Sequence, residues 1–178
     1  MGLRNRTLLT EHRCFFITNN CEKHHFFLTD EECFSILYRN IHFYNQQYKA
    51  RLIAYVFMSS HIHFIIYFEE KMRLSDYLRD FKTMTYRQLS DHLLKQHTYL
   101  ATALVHQKER RFFKVWADRF DDVVLYSRDV CETKINYMHN NPIEAGLVDV
   151  PEAYRHSSAA YYADPNRPSA LLHYRDIF

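Results

Sequence analysis

Ala54-Tyr55-Val56-Phe57-Met58-Ser59-Ser60-His61-Ile62-His63-Phe64-Ile65-Ile66-Tyr67-Phe68 is the stretch around which the chain is organised. Two apolar runs, rich in β-branched and aromatic residues, flank a short polar break. That pattern describes two neighbouring strands joined by a tight turn. His61 and His63 open the second run. Side chains alternate faces along a strand, so both imidazoles point one way and Ile62 the other. Two imidazoles side by side can grip one metal ion. The spacing alone equally allows one exposed histidine and one satisfied core histidine.

Working outward, Arg13 to Asn20 reads as a first strand. Thr29 followed by Glu32 has the form of a capping box, which opens a helix running to about Gln46. Its buried face carries Cys33, Phe34, Leu37, Ile41 and Tyr44. Tyr48 to Met58 and His61 to Phe68 are the second and third strands. Leu74, Tyr77, Leu78, Phe81 and Met84 recur at three and four residues, so Leu74 to about Leu94 is a second helix. Arg79, Lys82 and Arg87 fall off its apolar stripe. Gln96 to Gln107 reads as either helix or loop, with His97 and His106 at the surface. Lys108-Glu109-Arg110-Arg111 is a short basic cluster. Phe112 to Tyr126 suits a fourth strand with a bend. Asp129 to Asn140 is a third helix, with Ile135 and Met138 inward. Pro142 disfavours α geometry at Asn141, so that helix is expected to stop there. Pro142 to Gly146 then makes one further turn, stopped by the glycine. Pro151 to Phe178 is expected to wrap the surface.

The order of the first six elements is βαββαβ, the ferredoxin-like unit. The fold class is therefore α+β: a sandwich with an antiparallel sheet, helices on one of its faces and the third strand central. A helix bearing Tyr137 follows. No repeat, low-complexity tract or linker divides the 178 residues, which read as a single domain over 1–178, with a core of about 10–148 and a tail over 149–178.

Composition narrows the function. A hydrophobic fraction of 47% with 16% aromatics excludes a disordered chain. The formal charge of +2 means that nucleic acid would be held by a local patch rather than by bulk charge. Cys14, Cys21, Cys33 and Cys131 include no Cys-x-x-Cys pair and read as reduced, mostly buried thiols of a cytoplasmic protein. No apolar run approaches the ~20 residues needed to cross a bilayer.

Tyr137-Met138-His139-Asn140-Asn141 is the second informative stretch. Tyr137 and Asn141 are four apart and share a helix face. By themselves they read as a half-buried helix tyrosine and a helix-end asparagine before proline.

Taken with Met58-Ser59-Ser60-His61-Ile62-His63-Phe64, however, Tyr137 to Val148 resembles the tyrosine helix of the single-tyrosine HUH transposases, in particular their REP-associated branch. Tyr55-Val56-Phe57-Met58, Phe81-Lys82, Trp116 with Phe120 and Asp122, and Tyr154 with Ser157-Ser158 extend the resemblance over about residues 10 to 162. It implies that His61, His63 and Asn141 are metal ligands and that Tyr137 is the nucleophile. The implied reaction is DNA cleavage and strand transfer through a covalent link to a 5′ phosphate, with a 3′ hydroxyl released. The implied substrate is single-stranded or hairpin DNA. Two imidazoles and an amide oxygen, without thiolates, suit Mg²⁺ or Mn²⁺. A phenol is protonated near neutral pH and needs the metal or a base to ionise.

Arg79, Lys82, Lys108, Arg110 and Arg111 are candidates for the DNA backbone. The protein is expected to be a monomer or homodimer, with the tyrosine acting in its own chain's site. The alternative is a domesticated, non-catalytic hairpin-binding protein. Three positions depart from the family pattern: Ser60 where Asn is usual, Trp116 to Asp122 at several places, and His156 where an aromatic is expected.

Overall fold

The computed structural model describes residues 12–70, 73–96, 114–164, 166 and 169–178. The basic cluster Lys108, Arg110 and Arg111, and most of the Gln96 to Gln107 segment, lie outside them. The chain runs β1 (Cys14–Asn20), α1 (Glu31–Tyr48), β2 (Ala50–Phe57), β3 (His61–Phe68), α2 (Leu74–Lys95), β4 (Asp121–Val124) and α3 (Arg128–Glu144), then a short helix α4 (Ala159–Ala163). Among the described residues the strands form one antiparallel sheet in the order β2-β3-β1-β4. This is the expected ferredoxin-like arrangement, and β3 is central.

Strand alternation divides the side chains between two cores. Phe15 and Ile17 of β1, with Ile62, Phe64, Ile66 and Phe68 of β3, meet α1 and α2. Phe16 of β1 and Ile65 of β3 face the other way, against Cys131, Ile135 and Met138 of α3. Both sheet faces are therefore covered, where helices on one face were expected. His61 and His63 share the face of Ile65, so the pair points toward the tyrosine-bearing helix.

Several boundaries differ from the sequence reading. Asp30, not Thr29, caps α1 by accepting the Cys33 N–H at 2.9 Å. Its second oxygen meets His92 of α2, a tertiary contact that fixes where the helix begins. Glu32 pairs instead with Arg39. α1 ends at Tyr48, whose ring is buried, and Lys49 reverses the chain with φ 48°. Met84 is not on the buried stripe; Thr85 takes that place and accepts the Trp116 indole N–H at 2.9 Å. The fourth strand is cut to four residues, because Trp116 bridges to Cys21 beyond the end of β1 and the chain bends before Asp121. α3 runs through Pro142 to Glu144 rather than stopping at Asn141. The missing donor falls in the last turn, and Gly146, at φ 68°, closes the helix with Gly146 N–H to Ile143 O and Leu147 N–H to Pro142 O.

The C-terminal segment does more than wrap the surface. It covers the outer edge of β2 through Phe57 N–H to His156 O, Ser158 N–H to Tyr55 O and Leu172 N–H to Leu52 O. Tyr174 is buried in the α3 core. All four cysteines are free and buried. No helix among the described residues is long and apolar enough to cross a membrane.

Candidate active site

A short connection joins β4 to α3 and places the helix against β3. β4 ends at Val124, the Leu125 N–H bonds to Cys14 O, and Ser127 caps α3 by accepting from Val130 N. The helix thus starts at the sheet edge and folds back over the histidine face. Ile135 and Met138 point down into the core, which leaves Tyr137 half exposed above β1 and β3.

Four side chains converge. The rings of His61 and His63 have centroids 4.8 Å apart. Asn141 Oδ1 is 3.3 Å from His61 Nε2. Asn141 Nδ2 donates to Tyr137 O at 2.8 Å, which turns its oxygen toward the histidines. The Tyr137 ring lies 5.7 Å from the His63 ring and 6.2 Å from Phe16, centroid to centroid.

The outer nitrogens are held as well. Thr18 Oγ1 is 2.9 Å from His63 Nδ1, and Ser60 Oγ is 3.1 Å from His61 Nδ1. Such contacts set the ring orientation and leave each Nε2 for the site. Burial, reinforced by His61, pushes His63 down to about 3, and burial also lowers His61. Both rings are therefore neutral at physiological pH, the form that offers a lone pair. A neutral His61 has one N–H for two partners. If Ser60 takes it, Nε2 and Asn141 Oδ1 present lone pairs to each other, an arrangement that a cation relieves. Two imidazole nitrogens and an amide oxygen on this face fit a Mg²⁺ or Mn²⁺ ion with open positions left over.

Lys134, one turn before Tyr137, sets its ammonium 5.5 Å from the Tyr137 ring centroid and 5.1 Å from that of Phe16. Lys134, Thr18 and Phe16 were not found from the sequence. Thr18 becomes legible once β1 is placed beside β3, because it then stands directly opposite His63.

Residues 8–126 match the family model described as transposase IS200-like. The chain belongs to the IS200-like transposase family. That match includes the histidine pair and ends before the tyrosine helix. No curated protein matches this IS200-like transposase. Among solved structures it is similar to a REP-associated tyrosine transposase bound to a REP hairpin, with 18% identity, a TM-score of 0.66, and 88% of this chain and 83% of that one covered. A candidate transposase from Deinococcus radiodurans R1 matches at 12% identity and a TM-score of 0.50, over 72% of this chain and 90% of that one. At these identities the likeness is one of fold.

The proposed DNA contacts divide differently. Arg79 pairs with Asp76 and Asp80 on the outside of α2. Lys82 is partly buried and donates to Ala117 O at 2.7 Å, which fastens the loop before β4. Both belong to the helix that covers the opposite sheet face from the histidines, so the fold does not bring them to Tyr137. At two of the departures from the family pattern, the replacement is accommodated locally. Ser60 reaches His61, and His156 stacks on Phe34 with centroids 3.6 Å apart, filling an aromatic's place. A cleft of about 770 Å³ between α1, the β2 edge and the C-terminal segment includes none of the four converging residues.

Proposed function

We propose that this IS200-like transposase cleaves and rejoins single-stranded DNA beside a hairpin, with Tyr137 as nucleophile. His61, His63 and Asn141 would hold a Mg²⁺ or Mn²⁺ ion. The observation that carries the reading is the 3.3 Å approach of Asn141 Oδ1 to His61 Nε2, with Tyr137 one turn earlier on the same helix beside His63.

The chemistry follows from those positions. When bound, the ion would polarise a phosphodiester oxygen and stabilise the charge of the transition state. Tyr137 Oη attacks phosphorus, the bond from phosphorus to the 3′ oxygen breaks, and a tyrosine–5′-phosphate ester forms. The phenolic proton leaves to solvent and the departing 3′ oxygen gains one. The ester keeps the bond energy, so a later 3′ hydroxyl can attack it and restore Tyr137. Thr18 and Ser60 hold the imidazoles in place during both steps. Lys134 supplies a positive charge beside the phenol and the incoming phosphate. Tyr137 lies next to its own chain's His63, which supports action in cis.

The test is a gel assay for covalent adduct between the full chain and labelled hairpin-bearing single strands in Mn²⁺, with Tyr137→Phe as the comparison. Adduct in the wild type alone is the expected result. Adduct from both proteins would reject Tyr137. Cleaved strands with no adduct would indicate a hydrolase, and tight binding with neither product would indicate a non-catalytic hairpin-binding protein.

A further inference from the structure

On the opposite side of the sheet, three side chains of different chemistry meet where the start of α1 faces the end of α2. They are Asp30, Cys33 and His92, and one ligand-capable atom of each lies within 4.8 Å of the other two. Asp30 Oδ2 is 2.8 Å from His92 Nε2. The Cys33 thiol is fully buried and donates to Phe27 O at 3.5 Å. The Asp30 side chain is 41% exposed and that of His92 16%. The cluster is thus closed around sulfur and open to water at the carboxylate.

We propose that Asp30, Cys33 and His92 form a second metal site, for a thiophilic divalent ion such as Zn²⁺, with water as the fourth ligand. One thiolate, one imidazole and one carboxylate are each ordinary zinc ligands, and three protein ligands with a water complete a tetrahedron. At zinc bond lengths of about 2.0–2.3 Å the ligand atoms stand roughly 3.5 Å apart, so closure draws the widest pair in by about 1 Å. The helix cap survives this movement. Asp30 Oδ1 accepts the Cys33 N–H, and Oδ2 is a separate oxygen free to ligate once His92 turns its nitrogen to the ion.

Binding replaces the Cys33 thiol proton, which leaves to solvent, with a sulfur–metal bond. Burial pushes this thiol up to about 12, so it stays protonated without an ion, and affinity rises with pH. Sulfur separates this site from the histidine pair, because thiolate prefers zinc whereas the nitrogen–oxygen set on the other face suits Mg²⁺ or Mn²⁺. The ion would tie α1 to α2 and brace the segment whose Cys21 and Leu28 N–H groups bond Ser60 O and Ser59 O, next to His61.

The experiment is titration of the full-length protein with Co²⁺ without oxygen, read by absorption. A thiolate-to-cobalt charge-transfer band with tetrahedral visible bands is expected at one equivalent. Zn²⁺ should abolish it, Asn141→Ala should leave it unchanged, and Cys33→Ser and His92→Gln should each weaken binding at least tenfold. A folded wild type without the band, or a band that persists in Cys33→Ser, overturns the proposal. If Cys33→Ser does not fold, the melting temperature decides. The reading is taken on His61→Ala/His63→Ala, which lacks the other candidate metal site: Zn²⁺ raises its melting temperature if the Asp30–Cys33–His92 site exists and leaves it unchanged if it does not.

Discussion

His61 Nε2 and Asn141 Oδ1 lie 3.3 Å apart across 80 residues of chain. Asn141 is not itself a residue of the sheet. It is placed by α3, whose start is fixed at Ser127 and whose inner face is fixed by Ile135 and Met138. The site therefore depends on the packing of one helix against the sheet as much as on the strand that carries the histidines.

Asn141 can be tested for its oxygen alone. Asn141→Ala removes Oδ1 and should reduce metal-dependent adduct formation by at least about 100-fold, roughly 2.7 kcal/mol of barrier. Asn141→Asp keeps an oxygen in place and should retain part of the rate. Single-turnover assays across a Mn²⁺ titration measure both variants, and equal loss in the two would show that the oxygen is not the operative atom.

Thr18 holds His63 from the neighbouring strand. Thr18→Val keeps the shape and removes the 2.9 Å contact with Nδ1. The apparent affinity for Mn²⁺ should fall by about 10-fold or more, with much of the rate recovered at saturating metal. A lower rate with unchanged metal affinity would contradict this role.

Ser158 joins the C-terminal segment to both β2 and the tyrosine helix. Its Oγ accepts the Tyr55 N–H at 2.9 Å and lies 2.8 Å from His139 Nε2. Ser158→Ala strands both partners in a buried setting, so unfolding free energy should drop by about 1–3 kcal/mol in urea titrations. A change under a few tenths would mean that water replaces the hydroxyl.

His139 gives the fold an acid sensitivity. Burial pushes it down from 6.5 to about 4, so the unfolded chain binds its proton more readily than the folded one. Its contribution is complete above the unfolded value and is lost as pH falls from 6.5 toward 4. The loss is about 1 kcal/mol by pH 5.5 and about 3 kcal/mol by pH 4. His63 adds a loss of the same sign. Comparing wild type with His139→Gln at pH 7.5, 5.5 and 4 isolates the His139 share, and parallel curves for the two proteins would contradict it.

The sheet was legible because its strands are marked by period-two patterns and its connections by polar breaks. His61, His63, Tyr137 and Asn141 were legible as two motifs, and their convergence required the helix to cross the correct face. What escaped was decided by tertiary contacts. Asp30 displaced Thr29 as cap because His92 holds it. Thr85 displaced Met84 because Trp116 needs an acceptor. Helix α3 passed through Pro142 because only its last turn had to accommodate the missing donor. Lys134 looked like any exposed helix lysine until the position of Phe16 was known.

The most direct measurement is mass spectrometry of the adduct after nuclease and protease digestion. The chain has 14 tyrosines, so the modified peptide decides among them. A nucleotide 5′-phosphate is expected on Tyr137 and on no other tyrosine. A nucleotide on a different tyrosine, or a link through a 3′ phosphate, would contradict this.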